Sequence, residues 1–473
     1  MKFDELVGGL DPSVIIRSPG FPSDVRVDSL AIDHRAVKQG SLFFAIEGSN
    51  FDGHLFLDEA QSLGAVAAIV ARFSQSSLPQ AKVTDGTPRA TLALLADRLY
   101  QHPSSELTMI GVTGTNGKTT VTHLISKLLN ILGTKSEALG TLWGRLTTPE
   151  SPDLQRRLRD FVSIGVQAVA MEVSSHSLVM HRVDMIDYDA AIFTNLTQDH
   201  LDFHGDMENY FRAKTLLFRP EMSKLAVVNS DDPFGARLIE SRPDSIHFGL
   251  DDVTSLELGQ HGVSFEWRRR RIISELFGLH NVYNILAAVT TLSALGYDEG
   301  ELAESVSMIG TPNGRLEPVG VGLPFSVIID YAHTPAALEA ALVACRTVAS
   351  GQLILVFGCG GDRDRAKRPE MGAVAARLSD LAIVTTDNPR SEDPTQIIDE
   401  IVRGFQGRGR FQVIEDRRGA IAEAIELAQP GDLVLIAGKG HETTQRRGDS
   451  DSHFDDHEVA RLVLASRFAS GEQ

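Results

Sequence analysis

The residues with the most chemical promise are Gly111-Val112-Thr113-Gly114-Thr115-Asn116-Gly117-Lys118-Thr119-Thr120, set between an apolar run and an amphipathic stretch at 121–132. Glycines let backbone N–H groups curl around phosphate oxygens at a helix N-terminus, a following lysine reaches the outer phosphates, and a hydroxyl can ligate magnesium. Gly114, Thr115, Asn116, Gly117, Lys118, Thr119 and Thr120 are therefore assigned to nucleotide phosphates. The usual spacing puts glycine at 112, where Val112 stands, so the strict pattern is missed. A phosphate loop specifies a nucleotide and leaves the reaction open. The run 168–173 reads as a buried strand bearing Glu172, an acid placed to share the loop's magnesium. Phe193-Thr194-Asn195-Leu196-Thr197-Gln198-Asp199-His200-Leu201-Asp202 follows another apolar strand, so its polar groups leave the ligand-binding edge of a sheet. There His200 is either a second metal ligand or a hydrogen-bonded structural histidine, and spacing favours neither. Read alone, Lys214 is a surface lysine, and Arg390 is a strand-end arginine paired with Glu392 or Asp393.

Short β-branched runs alternate with helical patterns almost throughout, which predicts an α/β chain with mostly parallel sheets. Strands are expected at 25–32, 41–46 and 67–71, then a helix at 89–100 stopped by Gln101-His102-Pro103. A strand at 107–112 feeds the phosphate loop, further strands follow at 168–173 and 190–195, and the turn cluster Thr311-Pro312-Asn313-Gly314 closes the section. The remainder repeats strand and helix at 326–330, 334–348, 352–357, 369–378, 381–385, 394–405, 419–428 and 432–436, a doubly wound pattern. These breaks predict domains at 1–103, 104–312 and 313–473, in line with a length of 473 residues. The run Arg268 to Arg271 reads as a solvated hairpin. A formal charge of -18 argues against a nucleic-acid partner, and the apolar stretches are too short to span a bilayer. Two cysteines, Cys345 and Cys359, exclude a disulfide framework, and the first 20 residues lack the pattern of a secretory signal. A reducing, cytoplasmic compartment is expected.

Over nearly its whole length the chain resembles the Mur ligases, ATP-dependent amide-forming enzymes of peptidoglycan precursor synthesis. Gly114-Thr115-Asn116-Gly117-Lys118-Thr119 is similar to that family's own phosphate loop, which accounts for the missed spacing. Glu172-Val173-Ser174-Ser175-His176 and the segment 194–202 resemble its metal segments, and Gly278-Leu279-His280-Asn281-Val282-Tyr283-Asn284 its adenine side. Arg315 and Asp330-Tyr331-Ala332-His333-Thr334-Pro335 resemble residues that close the C-terminal domain over ATP. The resemblance implies an N-terminal uridine-binding α/β domain, a central P-loop ATPase-like domain and a C-terminal Rossmann-like domain. It implies ATP contacts from Asn281, Arg315 and Asp330 besides the loop, and magnesium on Thr119, Glu172, His200 and Lys214. Lys214 would then be a carbamate formed from carbon dioxide, N6-carboxylysine, and the catalytic set Lys118, Glu172, His200 and Lys214. The nucleotide-sugar acceptor would meet Ile32, His34, Thr147, Thr148, Ser174 and Arg182, with 48–53 on the uridine edge.

Within the family, the diaminopimelate-adding branch fits best. Asp387-Asn388-Pro389-Arg390 resembles its amino-acid selector, and meso-diaminopimelate differs from lysine by a far carboxylate that an arginine fork suits. Arg363, Gly438 and Glu442 match further amino-acid positions. The implied reaction joins meso-2,6-diaminopimelate to the D-glutamyl γ-carboxylate of UDP-N-acetylmuramoyl-L-alanyl-D-glutamate through an acyl phosphate, in a monomer. Departures from the family pattern are His34 in Asp33-His34-Arg35, Met180, Ala336 and a short segment between Gly140 and Thr147. The alternatives are a lysine-adding ligase, a folylpolyglutamate synthetase, a P-loop NTPase switch and a catalytically silent nucleotide-sugar-binding regulator.

Overall fold

The computed structural model describes residues 1–10, 14–48, 51–84, 87–142, 144, 146–259, 262–320 and 323–469. The chain divides into two compact units: Met1–Gly111, Gly133–Ala191 and Ala213–Leu225 form one, and Val112–Leu132, Ile192–Arg212 and Ala226–Gln473 the other. Among the described residues no helix is long and apolar enough to cross a membrane.

In the first unit a five-stranded sheet runs in the order Ile15–Arg17, Gln80–Val83, Ala65–Val70, Ser41–Ala45, Ser29–Ala31, all parallel except the first. Apolar side chains fill both faces, with Phe44, Ile69 and Leu95 in one cluster and Phe43, Leu57 and Val70 in the other. The expected strand at 25–32 shortens to Ser29–Ala31. Upstream, Val25 O accepts the Phe3 N–H and Val27 N–H donates to Met1 O, so the N-terminus takes the bonds a sheet neighbour would supply. The helix Pro88–Leu99 starts on a Thr87 cap and stops where Gln101 and His102 turn left-handed, at φ 62° and 53°. Strands Ser136–Leu139 and Ala168–Glu172 pair in parallel, Leu139 opposite Met171, which sets Glu172 beside Gly140.

The second unit carries the helix Lys118–Ile131 that follows the phosphate loop and the buried helix Leu279–Ala294. Its strands Gly262–Trp267 and Arg270–Ser274 form the expected hairpin, with Arg268 and Arg269 at φ 48° and 63° in the turn. The last sheet is ordered Glu317–Pro318, Ser326–Asp330, Leu433–Ala437, Leu353–Phe357, Leu381–Val384, Phe411–Val413, parallel but for its first strand. Helices Pro335–Val348, Lys367–Leu378 and Pro394–Arg403 cover one face, and Arg417–Leu427 with Asp456–Ala469 the other. Every loop that follows a parallel strand therefore opens on one edge, where doubly wound sheets bind ligands.

Candidate functional site

The phosphate loop is built around two glycines that nothing else could replace. A Cβ on Gly114, at φ 151°, would lie 1.9 Å from Thr194 Oγ1, and one on Gly117, at φ 88°, 2.5 Å from Asn284 Oδ1. The segment 194–197 clasps the loop: Thr115 N–H donates to Asn195 O at 2.9 Å and its hydroxyl to Thr197 O at 3.1 Å. Asn116 N–H donates to Asn195 Oδ1, and Asn116 O accepts the Thr194 hydroxyl at 2.6 Å. Lys118 Nζ lies over the loop, 3.0 and 2.9 Å from the carbonyls of Gly114 and Thr115. Asn281 and Asn284 share a side-chain hydrogen bond of 2.9 Å, and Thr119 Oγ1 accepts Arg315 Nη2 at the same distance. Thr120 is buried in the first turn of the helix.

Asp330 anchors the turn that carries Arg315. Its carboxylate accepts the Leu316 and Ala332 N–H groups, each at 2.8 Å, and burial pushes its pKa up. His200 stands left-handed at φ 54°, its Nε2 3.3 Å from Asp199 Oδ2. Burial alone would raise the Asp199 carboxyl, yet His200, His333 and Lys367 pull it down to about 2. Asp199 lies beside His200 in the segment 194–202 and buried Lys367 four residues after Arg363, and nothing in their local sequence distinguishes either from a surface charge.

In the first unit Glu172 is buried and accepts the Thr141 N–H at 2.9 Å, while a Cβ on Gly140 would meet its carboxylate at 2.2 Å. Thr148 Oγ1 donates to the Glu172 carbonyl at 2.9 Å and accepts the Ser174 N–H at 3.1 Å. Thr147 joins Thr141 at 3.1 Å, and Arg182 donates to Thr148 O while pairing with Glu150 at 2.8 Å. Four of the residues expected on the acceptor nucleotide thus come together. Ile32 and His34 lie beyond the end of strand Ser29–Ala31, with His34 stacked 4.2 Å from the Phe56 ring. Ser49 and Asn50, in the expected uridine edge, and Trp143 and Arg145, in the short segment, are outside the described residues. The surface-lysine reading of Lys214 is corrected. Its exposure is 1%, because it falls one turn after buried Tyr210 and beside buried Ala213 on the inward side of the helix Met207–Thr215.

On the ligand edge of the last sheet, Asp387, Asn388, Pro389 and Arg390 follow one strand, Gly438 and Glu442 another, and Arg363 a third. The ion-pair reading of Arg390 is also corrected. Glu392 is taken by Arg365 and Arg368, and Asp393 caps a helix. Arg390 Nη1 donates to Gly361 O at 2.6 Å instead, and the guanidinium makes no ion pair among the described residues. Burial and the nearby Arg363 hold its pKa below the usual value. Arg363 is exposed and, among the described residues, donates from its side chain to the carbonyl of Asp362. Glu442 receives Asn388 Nδ2 at 2.8 Å and the Tyr331 hydroxyl at 3.3 Å, and burial beside Asp387 raises its pKa. A Cβ on Gly438, at φ 114°, would sit 2.6 Å from Asp387 Oδ2. This edge offers the acids Asp387 and Glu442 and two guanidiniums, Arg363 and Arg390, that make no ion pair among the described residues, a match for a molecule bearing both ammonium and carboxylate groups.

Comparison with known proteins gives three family models. The Mur ligase family catalytic domain matches residues 26–95, the Mur ligase middle domain 112–292 and the Mur ligase glutamate ligase domain 314–440. A protein of Geobacillus thermodenitrificans strain NG80-2 named UDP-N-acetylmuramoyl-L-alanyl-D-glutamate--2,6-diaminopimelate ligase is 43% identical, covering 99% of this chain and 100% of its own. A protein of the same name from Synechococcus elongatus is 44% identical over 96% of this chain and 97% of its own. A solved structure of a ligase of that name aligns with a TM-score of 0.66 at 31% identity, covering 99% of both chains.

Proposed function

The chain belongs to the Mur ligase family, with its three-domain fold, and from that premise we propose that it joins meso-2,6-diaminopimelate to the D-glutamyl γ-carboxylate of UDP-N-acetylmuramoyl-L-alanyl-D-glutamate at the expense of ATP. The observation that carries this reading is the edge of the last sheet, where Arg390 is half-buried with no acidic partner among the described residues and Glu442 is held ready beside Asn388. Lysine has no group for that arginine; diaminopimelate has its far carboxylate. Domain limits at 103/104 and 312/313, a monomeric state and a cytoplasmic location belong to the same proposal.

Glycines 114 and 117 let the loop's N–H groups reach the ATP phosphates, and Lys118 and Arg315 offer positive charge to the outer ones. Thr147, Thr148, Ser174 and Arg182 hold the muramoyl peptide. The D-glutamyl carboxylate attacks the γ-phosphorus, the bond to ADP breaks and an acyl phosphate forms. Arg363, Arg390 and Glu442 align the diaminopimelate, whose deprotonated amine attacks the acyl carbon and expels phosphate. Most of the rate comes from positioning and charge. The donors suit magnesium: the Thr119 hydroxyl and the Glu172 carboxylate are hard oxygens, the latter fixed by Thr141 where Gly140 makes room. Thr119, Glu172, His200 and a carbamate on Lys214 would hold the ion, whose charge offsets that of the phosphate oxygens. The burial of Lys214 supports modification, since an amine out of water is driven toward its neutral, carbon-dioxide-reactive form.

The test is product analysis. Incubation with ATP, magnesium, the muramoyl dipeptide nucleotide and meso-diaminopimelate should yield one ADP per UDP-N-acetylmuramoyl-tripeptide by mass spectrometry. ADP release without tripeptide would replace this reading with that of an NTPase.

A further inference from the structure

Lys439 is wholly buried, at 0% exposure, in the loop between Gly438 and Glu442. Its Nζ lies 2.6 Å from the Thr444 carbonyl, 3.2 Å from Asn388 Oδ1 and 3.4 Å from Glu442 Oε2. An ammonium has three protons and no lone pair, so these three acceptors consume it and none is left for a substrate. Asn388 Oδ1 also accepts the Arg446 N–H at 3.0 Å. With its oxygen committed to Lys439 and Arg446, the Asn388 amide has one orientation, and Nδ2 points to Glu442 Oε2 at 2.8 Å. Tyr331 holds the other Glu442 oxygen at 3.3 Å. Lys439 also supplies a cation 3.4 Å from Glu442, whose other charged neighbour is Asp387. Burying a lysine is costly unless its charge is matched, and a loop that only needed filling could use an apolar side chain more cheaply.

We propose that Lys439 is a positioning residue for the amino-acid substrate, acting through Asn388 and Glu442 rather than touching it. The inference rests on the reading that those two side chains receive diaminopimelate. It fixes the flip of the Asn388 amide and keeps Glu442 anionic and turned to an incoming ammonium. Loss of the lysine leaves the amide oxygen with the Arg446 N–H as its remaining donor, so the amide is held less firmly, and removes the cation that offsets the repulsion between Glu442 and Asp387.

The test uses Lys439→Met, which removes the charge at similar length, and Lys439→Gln, which retains two donors. Each substrate is varied in turn in steady-state kinetics, alongside thermal melting. Lys439→Met should raise KM for meso-diaminopimelate about 10- to 100-fold, the weight of one or two hydrogen bonds to charged groups. KM for ATP and for the muramoyl nucleotide should stay within about twofold, and Lys439→Gln should fall in between. A cooperatively melting Lys439→Met whose amino-acid KM is unchanged, or whose three KM values rise alike, overturns the positioning role. Should Lys439→Met not melt cooperatively, Lys439→Gln is judged by the same criterion. An unsubstituted protein inactive with meso-diaminopimelate would overturn the underlying reading instead, so the two failures are distinct.

Discussion

Replacing Arg390 by alanine isolates the group that distinguishes diaminopimelate from lysine. Among the described residues the guanidinium is tied to the protein by one side-chain bond, Nη1 to Gly361 O at 2.6 Å, and has no carboxylate partner. Its backbone N–H donates separately to Arg446 O, so the fold of the turn does not depend on the side chain. A bidentate arginine–carboxylate contact makes two charge-assisted hydrogen bonds of about 1.5–3 kcal/mol each. Discounted for the partial exposure of Arg390, the pair amounts to roughly 3 kcal/mol, or about 150-fold in kcat/KM at 1.4 kcal/mol per tenfold. ADP release should be followed for Arg390→Ala with meso-diaminopimelate and with L-lysine. The expected result is a loss of about two orders of magnitude with diaminopimelate and little change with lysine, whose far end carries no carboxylate. Equal losses with both amino acids would refute the reasoning, because Arg390 would then support the loop rather than read the substrate.

Gly114→Ala drives a Cβ to 1.9 Å from Thr194 Oγ1 at a backbone angle that alanine disfavours, and should weaken ATP binding at least about tenfold in a nucleotide titration; unchanged affinity would contradict the loop geometry. Arg417→Met strands Asp456, since the two are fully buried and 2.6 Å apart, and should cost about 3–5 kcal/mol in denaturant unfolding. A loss below about 1 kcal/mol would mean the pair is solvated. Lys214→Ala should abolish turnover while nucleotide binding persists, and high activity of that variant without bicarbonate would remove the carbamate. His457 Nε2 lies 2.8 Å from Glu317; burial alone would lower the imidazole pKa but Glu317 raises it, and the same hydrogen bond lowers Glu317. The raised histidine stabilises below its ordinary 6.5 and loses that effect as pH climbs through its folded value, while the lowered glutamate stabilises above 4.5 and loses it as pH falls. His457→Gln should therefore depress the melting temperature most between those two values and least in alkali; a pH-independent difference would exclude the ion pair.

What the sequence made legible was periodic or local. Apolar runs locate the strands Leu353–Phe357 and Leu433–Ala437, buried on both faces, and the helix expected at 334–348 is found at Pro335–Val348. Phe411–Val413 does not stand out because it is only three residues long and all three are exposed on a sheet edge, and the hairpin Thr444–Arg447 with Ser450–His453 because it is polar throughout. The phosphate loop is readable because its glycines, lysine and threonine are contiguous in sequence, although the segment 194–197 that clasps it lies about 80 residues away. Lys214 and Arg390 were misread alone because burial and partner choice are long-range facts: Arg368, not Arg390, holds Glu392. Lys439 lies between Gly438 and Glu442, yet nothing local distinguishes a buried ammonium with three acceptors from a solvated one.

The central claim is that this ligase selects meso-diaminopimelate, and the most direct measurement is ADP release with the muramoyl dipeptide nucleotide, ATP and magnesium in parallel reactions containing meso-diaminopimelate, L-lysine, L-ornithine or no amino acid. Turnover with meso-diaminopimelate alone, accompanied by tripeptide, is the expected result. Comparable turnover with L-lysine would contradict the assignment of Arg390 as selector.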